Sequence, residues 1–194
     1  DVVEIMVIGF DNQFILLAIP LFVLSARLMN AGGITTRLFA FADSAVGFLR
    51  GGLAHVNVVG SIIFSGMTGS ALADAAGLGL MEIKAMEEGG YERPFACAVS
   101  AATATIGPII PPSIPMVVFS MLSGASLGNL FLGGVVPGLL MGAAMMLYIA
   151  AVAGRRGYPV GRWLGWRALL GAFRGAFLAL LTPGILLGGI YSGV

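Results

Sequence analysis

The feature that most constrains this chain is a run of 61 residues without a charged side chain, from Pro94 to Gly154. A membrane-spanning helix needs about 20 mostly apolar residues, so this run is long enough for two crossings. Near its start stands the segment IGPIIPPSIPM, residues 106–116, which contains four prolines: Pro108, Pro111, Pro112 and Pro115. Proline interrupts a helix because it lacks an N–H donor and clashes with the preceding turn. The sequence therefore predicts a membrane helix that is broken inside the bilayer.

Composition places the whole chain in the membrane class and excludes several functions. Of its residues, 58% are hydrophobic and only 10% are charged, whereas a soluble domain carries about 25% charged residues. The net charge of +1 leaves no basic face for nucleic acid. The chain has one histidine, His55, and shows no nucleophile–base–acid set, P-loop or dinucleotide-binding motif. We therefore predict an all-α integral membrane protein and expect no enzyme activity, no organic cofactor and no nucleic-acid partner.

Charge and proline patterns divide the chain into five segments. They are an N-terminal span plus amphipathic helix (1–50), a re-entrant hairpin (51–92), a broken helix with the following span (93–154), an amphipathic interfacial helix (155–174) and the start of a further span (175–194). Residues 155–174 hold five arginines and no acid, which indicates a cytoplasmic loop. Since the chain closes within an apolar run, we expect it to be part of a longer protein.

A second interruption is predicted where the sequence reads FSGMTGSALAD, residues 64–74. Its hydroxyl side chains are those of Ser65, Thr68 and Ser70. Gly66 and Gly69 would let a ligand approach the backbone closely. Polar backbone of this kind is tolerated at membrane depth only inside protein or beside a water-filled cavity. The pattern therefore favours a hairpin that enters and leaves the membrane on one side.

The two interruptions have complementary chemistry. Prolines free carbonyl oxygens, which would suit a dehydrated Na⁺ because hard cations prefer oxygen ligands. A helix that restarts near Ser70 offers its N-terminus to a carboxylate. Asp74 follows four residues later, and an acid within a membrane segment is a functional candidate. The plainer interpretation of either interruption is a structural kink, and Asp74 could equally pair with Lys84 or an arginine.

Other residues are expected to be structural. Gly134, Gly138 and Gly142 recur every four residues and favour close helix packing. We expect Thr103 or Thr105 to bond back to its own helix, Cys97 to be a packing residue and His55 to lie at the interface. The remaining charged residues before the long uncharged run are predicted to form a solvated hairpin base: Glu82, Lys84, Glu87, Glu88, Glu92 and Arg93.

The motifs GGLAHVNVVGSIIFSGMTGSALADAAGLG, EIKAMEEGGYERPFACAVSAATATIGPIIPPSIPMVVF and LFLGGVVPGLLMG occur in this order. In order and spacing the chain resembles the large membrane subunit (DctM type) of TRAP transporters, the tripartite ATP-independent periplasmic transporters. The resemblance covers nearly the whole chain but only the first of the family's two inverted repeats. The stretch Met67–Ser70 departs from the Ser-Gly-Ser found in many members.

That resemblance implies an elevator-type secondary transporter in a bacterial or archaeal inner membrane. Such a symporter would use Na⁺ as coupling ion to import an organic acid, for example a C4-dicarboxylate, sialic acid or a sugar acid. Its implied partners are a small membrane subunit, an extracytoplasmic solute-binding protein and membrane lipid. This chain would carry about half of the transport machinery.

The resemblance also implies which residues meet the ligands. The expected substrate-binding residues are Ser65, Thr68, Gly69, Ser70, Asp74, Thr103, Pro112 and Ser113. The expected Na⁺ ligands are Ser65, Gly66, Ser70, Gly107, Pro108 and Pro111. Two other interpretations of the sequence stay open, namely a passive channel or pore subunit and an inactive, truncated membrane fragment.

Overall fold

The computed structural model describes residues 31–192 together with residues 20, 21, 23, 24, 27 and 28. The described residues form helices and turns, and their one β-type contact is an isolated antiparallel bridge between Arg50 and Val160. The predicted all-helical architecture is confirmed. The predicted first span, Asn12–Ala26, lies mostly outside the described residues.

Eight α-helices and one π-helical segment are present between residues 34 and 192. They are α1 (Ile34–Val46), α2 (Gly52–Thr68), α3 (Ala71–Asp74), the π segment (Ala75–Gly79), α4 (Leu80–Glu88), α5 (Arg93–Ala104), α6 (Ile114–Ser123), α7 (Leu127–Arg156) and α8 (Trp166–Ser192). Two stretches are long and apolar enough to cross a membrane, namely α7 and residues Trp166–Gly189 of α8.

Helices α2 to α4 form a helical hairpin, because α2 packs side by side with α3, the π segment and α4. The turn at its tip requires glycine: Gly69 ends α2 with a φ of 59°, in the left-handed region that other residues disfavour. Ser70 then starts α3, and its hydroxyl oxygen accepts a hydrogen bond from the backbone N–H of Ala73 at 3.4 Å. The hairpin tip is therefore a two-residue break between helices.

The proline-rich segment breaks the chain a second time. Helix α5 ends at Ala104 and α6 begins only at Ile114. Ser113 caps α6, because its hydroxyl oxygen accepts from the N–H of Met116 at 3.3 Å. The proline-broken helix predicted from the sequence is thus observed between residues 105 and 113.

The hairpin and the broken helix share one core with α7. Ala54 of α2, Met86 of α4, Val99 of α5 and Ile149 of α7 are buried together. A second buried cluster joins α1, α2, the π segment and α8: Leu38, Phe64, Met67, Leu78, Ala176 and Ala179. Helix α2 belongs to both clusters and lies at the centre of the described fold.

The structure corrects the predicted helix over residues 155–174. Residues 157–165 are irregular, and one helix, α8, runs from Trp166 to Ser192 across the predicted boundary at residue 175. Gly157 and Gly165 have positive φ angles of 65° and 87°. The first follows the end of α7, and the second immediately precedes α8. Arg167 and Arg174 therefore lie in the first turns of a long helix.

The solvent exposure of three side chains differs from the prediction. Glu82 was predicted to be solvated, yet it is only 2% exposed because it faces α2 inside the hairpin. His55 was predicted at an interface and is 3% exposed within α2. Cys97, predicted as a packing residue, lies on the exposed side of α5.

Candidate functional site

The two breaks touch each other. The backbone N–H of Ile114 donates to the carbonyl oxygen of Gly69 at 3.2 Å, which joins the start of α6 to the hairpin tip. A Cβ atom at Gly69 would overlap the carbonyl oxygen of Pro112, and one at Gly107 would lie 3.3 Å from the carbonyl carbon of Ser70. Gly69 is therefore required for this close backbone approach, and Gly107 leaves little room for a larger residue.

Several carbonyl oxygens in the proline-rich break are left without a donor. The carbonyl oxygens of Ala104 and Ile106 accept backbone N–H groups within the segment. That of Pro108 accepts the Ser113 hydroxyl at 2.6 Å. The described residues donate no hydrogen bond to the carbonyls of Gly107, Pro111 and Pro112. Unpaired buried carbonyls are costly without a partner, and such oxygens are the ligands that hard cations prefer.

The two breaks also bring two helix N-termini into the same region. Ser70 caps α3 and Ser113 caps α6 through their side-chain hydroxyl groups. Backbone N–H groups at a helix start are partly unpaired and favour negative charge. Helix α3 is a single turn, but it continues into the π segment and α4. Ser70 and Ser113 thus stand at the start of two longer helical stretches.

The hairpin break is narrower than predicted, and this changes the setting of Ser65 and Thr68. Both lie in the last turns of α2 and are buried. The Ser65 hydroxyl donates to the carbonyl oxygen of Ile62 at 2.8 Å, and the Thr68 hydroxyl to that of Phe64 at 3.5 Å. Gly66 is buried within the same helix. Their backbone carbonyls are therefore less available than the sequence suggested, while the hydroxyl oxygens keep lone pairs.

The Thr103 side chain belongs to a buried hydrogen-bond network that joins α5 to α2. Its hydroxyl donates to the amide oxygen of Asn57 at 2.5 Å and also lies 3.2 Å from the carbonyl oxygen of Ser100. The Asn57 side-chain amide donates to the Ser100 hydroxyl at 2.6 Å. The expected back-bonding of Thr103 or Thr105 to its own helix is confirmed at Thr105, whose hydroxyl donates to the carbonyl oxygen of Ala102 at 2.6 Å. Sequence reasoning missed Asn57, which ties α2 to α5.

Asp74 is buried inside the hairpin. It is 1% exposed, and neither carboxylate oxygen has a hydrogen-bond partner among the described residues. The Ser61 hydroxyl of α2 lies beside it but does not reach hydrogen-bond geometry. Ser70, on the same helical turn, is partly exposed. The structure therefore separates Asp74 from the open side of the tip, although the two residues share a helical face.

A cavity of about 400 Å³ opens at the hairpin tip. Thr68 and Ser70 contribute hydroxyl groups to its lining, and Phe64 contributes apolar surface. Arg27 also lines this cavity, and the sequence pattern gave no reason to expect it there. A guanidinium group beside a helix N-terminus would suit a carboxylate.

The glycine face of α7 supports the proline-rich break from behind. A Cβ at Gly134 would overlap the carbonyl oxygen of Ile109, and one at Gly138 would overlap the side chain of Ile110. A Cβ at Gly142 would lie 2.6 Å from Cδ1 of Ile62 in α2. The close packing predicted from the glycine spacing is confirmed.

A family model described as "Tripartite ATP-independent periplasmic transporter, DctM component" matches residues 2–194. This chain belongs to the DctM family. The resemblance drawn from the motifs is therefore confirmed for the chain as a whole.

Curated DctM-family relatives carry different substrate names. The chain is 49% identical, over 95% of its length, to the sialic acid TRAP transporter large permease protein SiaM of Vibrio cholerae. It is 41% identical over 96% of its length to the C4-dicarboxylate TRAP transporter large permease protein DctM of the same organism. It is 37% identical over 98% of its length to the 2,3-diketo-L-gulonate TRAP transporter large permease protein YiaN of Escherichia coli.

The chain spans less than half the length of these relatives. The matched part covers 43% of SiaM, 41% of DctM and 45% of YiaN. Activities and partners of the complete relatives therefore involve residues beyond those matched here.

Proposed function

We propose that this chain forms one half of the membrane subunit of a Na⁺-coupled secondary transporter that imports an organic acid. The observation that carries the proposal is the contact between the two helix breaks, where Gly69 meets Pro112 and Ile114. A single break is common as a kink, whereas two apposed breaks gather unpaired carbonyls and helix N-termini in one place. Such irregular backbone persists at membrane depth where it lines a cavity or a site.

In this proposal the hairpin is re-entrant and its tip contributes to one Na⁺ site. The cation would meet the unpaired carbonyls of Gly107 and Pro111 together with hydroxyl oxygens of Ser65 and Ser70, while Gly66 and Pro108 complete the candidate set. The organic acid would approach the N-terminal ends of α3 and α6 and the tip cavity. The hairpin, α5 and α6 would move together with α7, as in an elevator, because the hairpin and α5 share a core with α7 and α6 packs against α7.

The proposed partners are inferred from the names of the family and of the relatives. A "large permease protein" of a "tripartite" transporter implies a small membrane subunit and an extracytoplasmic solute-binding protein. We propose the inner membrane as location. The relatives named for sialic acid, C4-dicarboxylate and 2,3-diketo-L-gulonate make a carboxylate-bearing substrate the best-supported class.

Uptake into proteoliposomes tests this function. The complete membrane subunit, reconstituted with its small subunit and its binding protein, should accumulate a carboxylate substrate against its gradient under an imposed Na⁺ gradient, but not under a K⁺ gradient. Flux that only equilibrates the substrate and does not require Na⁺ or the binding protein would support a passive channel instead. An absence of flux with all components present would overturn the proposed transport function.

Three variants test the ion site within that assay. Ser65→Ala and Ser70→Ala should each raise the Na⁺ concentration for half-maximal uptake by about fivefold, since a lost polar contact costs about 1 kcal/mol. Pro111→Ala keeps the carbonyl oxygen but restores a backbone N–H, so it should raise that concentration by changing the backbone path that directs the carbonyl. Ser123→Ala is the matched control, because its exposed hydroxyl bonds back to Phe119 away from both breaks. An unchanged Na⁺ requirement in all three variants would remove the ion-site assignment.

A further inference from the structure

Glu82 is a buried carboxyl group that the proposed transport site does not use. It lies in α4, in the second arm of the hairpin, and is 2% exposed. Its Oε1 atom has no hydrogen-bond partner among the described residues. Glutamate is rarely buried unless its charge is paired or it coordinates a metal, so this position requires a physical explanation.

The hairpin provides a shaped space for the Glu82 carboxyl group. Gly60 of α2 lies opposite, and a Cβ atom there would stand 2.8 Å from Oε1 of Glu82. The side chain of Leu78 also packs at this point. The carboxyl group is therefore held between the two arms by close packing rather than pointing into solvent.

Asp74 is a second buried acid inside the same hairpin. Its carboxyl group is 1% exposed and has no hydrogen-bond partner among the described residues. The π segment Ala75–Gly79 separates the two acids along the chain. π-helical turns inside helices occur frequently at functional sites, and this one lies between the two buried acids.

The surrounding charged groups do not neutralise this pair. Cationic residues of the neighbouring helices are engaged at the surface: Lys84 lies 3.9 Å from Glu88, and Arg93 lies 3.3 Å from Glu87. Helix α2 contributes one titratable side chain, His55, and α5 contributes Cys97 on its exposed side in addition to Arg93. The π segment has no titratable side chain.

An ionised carboxylate buried inside the hairpin without a counter-charge would cost several kcal/mol. A bound proton removes that charge. We propose that the hairpin holds a proton on Glu82, at a site separate from the one at the hairpin tip. The proposal goes beyond the Na⁺-coupled function, because the proton site would exist whether or not the tip binds Na⁺.

Infrared spectroscopy of the complete membrane subunit in lipid tests this directly. At neutral pH the wild-type protein should show the C=O stretch of a buried protonated carboxyl group, shifted in D₂O. Glu82→Gln should remove that band, and Asp74→Asn should leave it in place, because the proton is on Glu82. Glu88→Gln is the matched control, since Glu88 lies on the same helix with an exposed side chain, and the band should persist in it.

The result does not depend on transport or on the folding of one variant. In wild-type protein the band should be the same in Na⁺ and in K⁺ buffer at equal ionic strength. A band that disappears in Na⁺ would assign the carboxyl pair to a metal ion and overturn the proton site. The absence of any protonated carboxyl band at neutral pH, or its persistence in Glu82→Gln, would also overturn it.

Discussion

Prolines occur both within α7 and between α5 and α6, but only the second set coincides with a break between helices. Helix α7 contains Pro137 and yet continues for 30 residues. Helices α5 and α6 are separated by nine residues, 105–113, around Pro108, Pro111 and Pro112. Pro137 is exposed on α7, whereas Pro111 and Pro112 are buried against other helices.

The difference shows that proline breaks this chain only where another backbone segment replaces the lost helical contacts. In the break, Gly69 of the hairpin tip supplies a carbonyl acceptor for Ile114, and Ser113 bonds to Pro108. At Pro137 the flanking residues Gly134 and Gly138 pack closely enough to hold a continuous helix. The two breaks that contact each other interrupt their helices, while the single proline within α7 leaves that helix intact.

Gly69→Ala should have the largest effect, because it separates the two breaks. Alanine at φ 59° costs about 1–2 kcal/mol, and overlap of its Cβ with Pro112 adds about 1–3 kcal/mol. Gly124→Ala is the matched control, since Gly124 has a φ of 70° and no atom within 4 Å of an added Cβ. Thermal unfolding in detergent measures the stability of the two variants. Equal losses of stability would mean that the contact of the hairpin tip with Pro112 contributes little.

Gly134→Ala should have the next largest effect, because it pushes α7 away from the carbonyl oxygen of Ile109. Overpacking of this kind costs about 1–3 kcal/mol. Gly133→Ala, one residue earlier with open space around an added Cβ, should be neutral or stabilise α7 by about 0.5–1 kcal/mol. Thermal stability of the two variants separates packing from helix propensity. A stable Gly134→Ala protein would show that α7 does not support the break.

Asn57→Ala should have a smaller effect, because it removes the amide that links Ser100 and Thr103. Leaving their hydroxyl groups without this partner should cost about 1–2 kcal/mol. Thr105→Ala is the control, since its exposed hydroxyl bonds only within its own helix turn. The thermal stability of both variants is measured by unfolding, and their Na⁺ requirement is measured in the uptake assay. If Asn57→Ala were as stable as Thr105→Ala, the network would not hold α5 against the hairpin.

Glu92→Gln should have the smallest effect. Glu92 accepts a hydrogen bond from Arg156 at 3.0 Å, but both side chains are well exposed, and exposed ion pairs are screened by salt. We expect a loss of stability that is detectable only at low ionic strength, measured by unfolding across a salt series. A large, salt-independent loss would indicate that this contact joins α5 to α7 more strongly than the buried core does.

The sequence predicted those parts of the fold that depend on local residue types. Prolines between residues 108 and 115 and the Gly69–Ser70 pair mark breaks by their own backbone restrictions, and the four-residue glycine spacing marks a packed helix face. Burial depends on tertiary contacts instead. Glu82 follows a small-residue helix and looks solvated in sequence, and only its contact with Gly60 shows otherwise.

The same distinction applies to the candidate site. Its location was predictable, because both breaks carry composition signals. The settings of Thr103 and Asp74 were not, because each depends on a residue far away in sequence. Thr103 bonds to Asn57, 46 residues earlier, and Asp74 is buried against the other arm of the hairpin, beside Ser61. The start of α8 at Trp166 was missed since the arginines of its first turns resemble those of an interfacial helix.

A double-mutant cycle on Na⁺ dependence tests most directly whether the two breaks form one site. Ser70→Ala alters the hairpin tip and Pro111→Ala alters the proline-rich break, and the Na⁺ concentration for half-maximal uptake is measured for both single variants and for the double variant. One shared site predicts an interaction of about 0.5–3 kcal/mol between the two changes. Effects that add without interaction would contradict the account and leave two independent kinks.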